Sequence, residues 1–383
     1  MSQPKGAFEG DGRITLVGAL LCLAGSGIFY LMPGYVGAAT RLYTLTASQA
    51  GALSGGESLT IGVAALICAW MIGHMDRRLL IACALVTLVG NALTSFMPNF
   101  PALMALRLAT GFFGEGPLYA SSYAVLGLAL KPDRAFGCAV LVSAAAGSAA
   151  LAAQGPLLAL GLSGLLLPVI LAGVAFIAVA GWLPKLGGDR AETTASPTSN
   201  IPALWLLASI AVWFGAPGFF WAFADTIGVQ RGVPEALVDQ ALALSTLIGL
   251  VGLLAPVVLA DRFGRTAPMI LATGAVIASA WLSVAASGFS LLASAVSLFY
   301  VAWNVVSVYQ LAALSSADDS GRYAGLGATA QLAGLSAGPL IGGLLLDRMG
   351  LAAVTGCVAA FAGGGLVCFL AARARSAPVS QTA

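Results

Sequence analysis

Almost from end to end, this chain is divided into apolar runs of the length that crosses a lipid bilayer as a helix, about 20 residues each. Six fall near 14–40, 47–73, 79–97, 101–130, 135–160 and 163–184. After the polar stretch KLGGDRAETTASPTSN at 185–200, six more follow near 202–228, 237–260, 266–286, 288–315, 323–346 and 350–372. Lipid offers no partners to backbone N–H and C=O groups, so runs of this length must satisfy them internally as helices. The predicted fold class is an all-α integral membrane protein with twelve transmembrane helices. Composition agrees: 8% of residues are charged and mean hydropathy is +0.96, whereas a soluble domain carries about a quarter charged residues. A net charge of +2 gives no basis for a nucleic-acid partner.

The loop charges set the topology. The polar N-terminal segment MSQPKGAFEGDGR precedes a run too long for a signal-peptide core, so the first run reads as an uncleaved span. With the N-terminus inside, thirteen of the 17 basic residues lie in cytoplasmic segments, among them Arg77, Arg78, Lys131, Lys185, Arg262 and Arg373. Outer loops carry three, Arg41, Arg231 and Arg348, and Arg107 lies within a span. The positive-inside rule then predicts both termini in the cytoplasm, and the expected location is a bacterial inner membrane. The six cysteines lie in apolar runs without CxxC spacing and read as small buried hydrophobes rather than disulfides or metal ligands. The lone His74 cannot build a metal cluster, and no metal or other cofactor is expected.

The second half repeats the first. AGSGIFYLMPGYVG in the first span aligns without gaps on GAPGFFWAFADTIG in the seventh, pairing Gly27 with Gly218, Tyr30 with Trp221 and Gly37 with Gly228. Charged turns recur as MDRR at 75–78 and ADRFGR at 260–265, and again as DRAFG at 133–137 and GRYAG at 321–325. The predicted organisation is a six-helix bundle at 1–184, a cytoplasmic linker at 185–201 and a second bundle at 202–383. Parallel repeats of this kind characterise a large class of secondary transporters.

With these motifs the whole chain resembles the major facilitator superfamily. Its turn signature between helices 2 and 3, Gly-x-x-x-Asp-Arg-x-Gly-Arg, is matched by Asp76 and Arg77, with Ile72 and Leu79 in place of glycines. The copy between helices 8 and 9 keeps Asp261, Arg262, Gly264 and Arg265, with Val257 for the leading glycine. The resemblance implies that these residues gate the cytoplasmic side. The helix-4 signature Arg-x-x-x-Gly matches Arg107 and Gly111. A glycine pattern that the family ties to antiport in helix 5 is complete here in helix 11, at Gly325, Gly334, Gly338, Pro339, Gly342 and Gly343; close helix packing is the favoured reading there. GLLLDRMG at 343–350 imitates the turn signature on the outer side, so Asp347 and Arg348 read as an interfacial turn without a gating role.

Charges within spans are costly and usually face the protein interior. They are Glu57 in the second span and Arg107 and Glu115 in the fourth, with Asp225 near the outer end of the seventh, functional or merely interfacial. Arg107 and Glu115 are eight residues apart, about 12 Å along a helix, too far for a direct bond unless long side chains bend together. Positions 107, 111, 115, 119 and 123 form an i, i+4 stripe reading Arg, Gly, Glu, Tyr, Tyr. The resemblance implies that helices 1, 4, 7 and 10 line a central cavity, so this stripe is expected to face it. Glu115 is then either a proton carrier or a permanently ionised partner of Arg107. Arg107 could bind an anionic substrate or tune Glu115, and the resemblance implies a part in proton coupling, for which Glu57 and Asp225 are further candidates. Tyr30, Tyr119, Tyr123, Phe220, Trp221, Tyr300 and Asn304 are candidates for binding a small, partly aromatic solute, against packing as the alternative.

The function expected is secondary active transport of a small organic solute by alternating access, proton-coupled, in a monomer. The rival is a non-transporting solute sensor or embedded enzyme, for which no phosphate loop or nucleophile–base set appears. Drug efflux and nutrient uptake stay equally open.

Overall fold

The computed structural model describes residues 5–186, 200–254, 264–317 and 326–376. Within them ten helices are long and apolar enough to span a membrane. In chain order these are α1 (Lys5–Tyr43), α2 (Ala47–Trp70), α3 (Arg77–Leu93, prolonged by a 3-10 turn to Phe96), α5 (Pro132–Ala152), α7 (Ile201–Gln230), α8 (Glu235–Gly249, prolonged by a 3-10 turn to Leu254), α9 (Thr266–Ala285), α10 (Phe289–Ala317), α11 (Gly327–Met349) and α12 (Ala352–Ser376). The other two expected spans are shorter or interrupted. α4 covers 100–126 in three pieces, and α6 is Leu167–Val179. Side-chain caps start several helices: Asp76 accepts from Leu79 N–H, Asn99 from Ala102 N–H and Asn200 from Ala203 N–H, each satisfying one of the orphan donors at a helix N-terminus.

The chain divides into two compact units, one of 1–46 with 56–190, the other of 47–55 with 191–383. In the first, α1 packs on α5, α6 and the end of α4, and α3 packs on α6. In the second, α7 packs on α11 and α12, and α9 on α12. Six helices on, each partner is the one the repeat predicts. The first and last helices of each unit are also tied at one end by an arginine over an indole ring. Arg13 of α1 lies 5.3 Å from the Trp182 ring just past α6, and Arg375 of α12 lies 4.8 Å from the Trp205 ring of α7. Such cation–π contacts suit side chains with one apolar and one wet end.

The divisions at 46/47 and 55/56 fall at the start of α2 and within it. The first nine residues of α2 belong with the second unit, although the helix continues into the first. They lie backbone to backbone on α11. A methyl added at Gly51 would meet the Pro339 carbonyl, one at Gly55 the Ser336 carbonyl, and one at Gly343 the Ala47 carbonyl. Small residues are what allow two helices to approach this closely in a membrane. Gly334, Gly338 and Gly342 do the same for α11 against α7, meeting Ala211, Gly215 and Phe219. The glycine pattern of α11 is thus accounted for by packing on two faces, with Gly325 outside the described residues. Asp347 corrects the reading of an idle outer turn: it lies in the last turn of α11, and its carboxylate accepts the N–H groups of Ala47 and Ser48. Among the cysteines, all free, Cys138 is exposed rather than buried.

Candidate functional site

The three charges of the first unit meet at one point. Arg107 is 0% exposed, as are Glu57 and Glu115. Its Nη2 donates to Glu57 Oε1 and, at 3.2 Å, to Glu115 Oε1. Its Nη1 donates to Asn91 Oδ1 at 2.8 Å and stands 3.4 Å from the Thr94 hydroxyl. Asn91 closes the ring, donating through Nδ2 to Glu115 Oε1 at 3.2 Å and to the Thr87 carbonyl. Tyr35 of α1 covers the guanidinium, its ring centre 5.6 Å from Arg107 Cζ.

The direct Arg107–Glu115 bond overturns the expectation from spacing, and the reason is in the helix. On a regular α-helix eight residues turn about 800°, which leaves Glu115 about 80° off the Arg107 face. Between them Gly111–Glu115 forms a π turn, in which Gly116 N–H reaches back to Gly111 O. Pro117 follows at once; having no N–H, it cannot serve Phe113 O and so weakens the ordinary ladder there. A π turn takes up one extra residue. Arg107 and Glu115 therefore relate almost as i and i+7, about 20° short of two full turns.

Glycines bring the neighbouring helices within reach. A methyl at Gly111 would meet the Thr60 hydroxyl of α2, at Gly114 the Thr87 hydroxyl of α3, and at Gly116 Ala64 and the Ile61 carbonyl. On the other side, a methyl at Gly25 of α1 would collide with the α4 backbone at Tyr119 and Glu115. Four helices thus converge on one buried cluster.

Chemically, two carboxylates oppose one guanidinium, so the ionised cluster carries one excess negative charge. Both carboxylates bind Arg107 through Oε1. Glu57 Oε2 and Glu115 Oε2 are buried and accept no hydrogen bond among the described residues. An uncompensated charge in such a place is expensive, and a proton on either Oε2 removes it.

The other predicted residues fall elsewhere. The stripe of α4 splits after Glu115, because Tyr119 and Tyr123 leave the charges behind. Their hydroxyls pair at 3.0 Å and their rings stand 5.0 Å apart, with Phe29 and Phe136 alongside. Tyr30 is half-buried against Gly147 of α5. In the second unit Phe220 stacks on Phe299 at 4.1 Å, and Trp221 meets Tyr300 edge-on at 5.0 Å. All four of these rings are buried. Asn304 donates to the Gly249 carbonyl at 2.9 Å, where α8 gives way to a 3-10 turn. Asp225 is fully buried in α7, which does not fit the interfacial reading. Asp76 caps its own helix beside Arg77, and Arg265 donates to the Ser316 hydroxyl at 2.8 Å next to Gly264, whose φ is +58°. Asp261 and Arg262 lie outside the described residues. Asn91, Thr94 and Tyr35 were not among the predicted site residues. An asparagine inside the apolar run LVTLVGNAL was the available signal for the first of them.

Residues 14–307 match the family model described as Major Facilitator Superfamily. The chain belongs to the major facilitator superfamily. Solved structures share the superfamily fold across nearly the whole chain. A variant of the nucleoside transporter NupG superposes with a TM-score of 0.70 at 13% identity, covering 96% of this chain and 100% of that one. A bacterial homologue of the human lysosomal transporter Spinster, inward-facing and occupied, gives 0.62 at 14% identity, covering 98% and 96%. Curated proteins compared by sequence give no match.

Proposed function

We propose that this superfamily member is a proton-coupled secondary transporter of a small organic solute, working by alternating access in a bacterial inner membrane with both termini cytoplasmic. One observation carries the coupling: a single buried arginine shared by two carboxylates, each with an oxygen left over. In this reading Glu57 and Glu115 hold one proton between them, and Arg107 keeps the remaining carboxylate ionised. Loading and release of that proton alternate the cluster between neutral and singly negative. The neutral cluster is the form that low-dielectric surroundings tolerate best, which ties proton occupancy to the closed state of the unit. Asp225 is a second acidic group that could report the state of the other half.

The aromatic side chains of α7 and α10 support a small, partly aromatic solute. Nucleosides head the panel to be tried, because a nucleoside transporter shares the fold. The test uses purified protein in liposomes with an imposed pH gradient and a panel of labelled nucleosides and other small solutes. Gradient-driven flux is expected in the native protein, and counterflow without gradient response in Glu115→Gln and in Glu57→Gln. Unimpaired gradient response in both variants would sink the assignment. Binding without any flux in the native protein would favour a sensor instead.

A further inference from the structure

The segment Ala47–Gly55 is covalently part of α2 but packs with α11, and the seam ends in a paired contact. Asp347 Oδ1 accepts Ala47 N–H at 2.7 Å, and Oδ2 accepts Ser48 N–H at 2.9 Å. A helix start leaves four N–H groups without intrahelical partners, and here two of them are met by one carboxylate from 300 residues away. Asp347 is badly placed for its own helix, since a negative charge in the last turn opposes the helix dipole. At the start of α2 the same charge is favourable. The geometry therefore favours Asp347 as a cap on docked α2. Below it, Gly51 lies against the Pro339 and Gly343 backbones, and Gly55 against the Ser336 carbonyl and the Leu340 side chain, so the seam is closely packed beneath the cap.

We propose that Asp347 is an outer latch. It caps α2 when the transporter is closed to the outside, and losing the cap is the step that frees α2 from α11 for outward opening. The proposal rests on the orientation given above, with Asp347 on the outer face. Asp347 is exposed and within reach of water, so a solvated carboxylate can replace the docked one.

The test places a reporter cysteine at Ala50, which is 1% exposed in the docked segment. Intact cells are treated with a membrane-impermeant maleimide, and modification at position 50 is read by peptide mass spectrometry. Asp347→Asn should raise the labelling rate about tenfold, the scale of losing an ordinary helix N-cap. Ala47→Pro should do the same while keeping the helix, because proline is tolerated at the first helical position and only the N–H is lost. The double variant should add little to either, as both break one contact. Equal labelling in the native protein and both single variants would overturn the latch. Faster labelling seen only in inverted vesicles would overturn the outer placement, leaving the proton site untouched.

Discussion

At the scale of single residues, the weight of the cluster rests on who satisfies Arg107. Asn91 bonds Nη1 at 2.8 Å and also reaches Glu115, while Thr94 stands off at 3.4 Å. Hydrogen bonds to a charged group contribute about 1.5–3 kcal/mol each. Asn91→Leu should therefore destabilise the protein by about that amount, and Thr94→Val by clearly less, in detergent unfolding followed by intrinsic fluorescence. Equal losses would contradict the hydrogen-bond ranking. Glu57, Arg107 and Glu115 were legible in the sequence because charge is rare there and lipid penalises it. Tyr35 was not, and Asn91 only as a lone amide in the apolar run LVTLVGNAL, since the partner of each lies on another helix. The meeting of Glu57 with Arg107 needed the fold, as 50 residues separate them in the chain.

At the scale of elements, α4 shows how one turn can decide a site. Its stripe was readable by period, yet the π turn moved Glu115 onto the arginine face, while Tyr119 and Tyr123 pair with each other further along the helix. The local signal was GFFGEGP, glycine-rich and closed by proline, a pattern that marks irregularity without saying which kind. Because the turn stores one surplus residue, deleting the exposed Phe113 should leave a regular helix with Arg107 and Glu115 seven apart and still on one face. Deleting Ala120 instead would rotate the rest of α4 by about 100° with nothing to absorb it. The Phe113 deletion should remain monodisperse by size exclusion and the Ala120 deletion should not. The reverse order would show that the π turn has no such slack.

At the scale of the whole molecule, the twofold repeat was visible in sequence offsets and in loop charges, and the packing partners six helices apart follow it. The exchange of Ala47–Gly55 was invisible, because a helix that belongs partly to one unit and partly to the other has a single unbroken apolar pattern. The arginine–indole ties have a consequence for making the protein in pieces. Arg13 with Trp182, and Arg375 with Trp205, fasten the first helix of each unit to its last. Neither closure depends on the peptide bond between Arg190 and Ala191. Two genes encoding 1–190 and 191–383, expressed together, should yield fragments that copurify after membrane extraction, whereas fragments that never associate would refute the idea. The second fragment made alone would lack the nine residues that cover α11. A short synthetic helix carrying the sequence of residues 47–55 is thus the missing piece that the orphaned fragment would be ready to recruit.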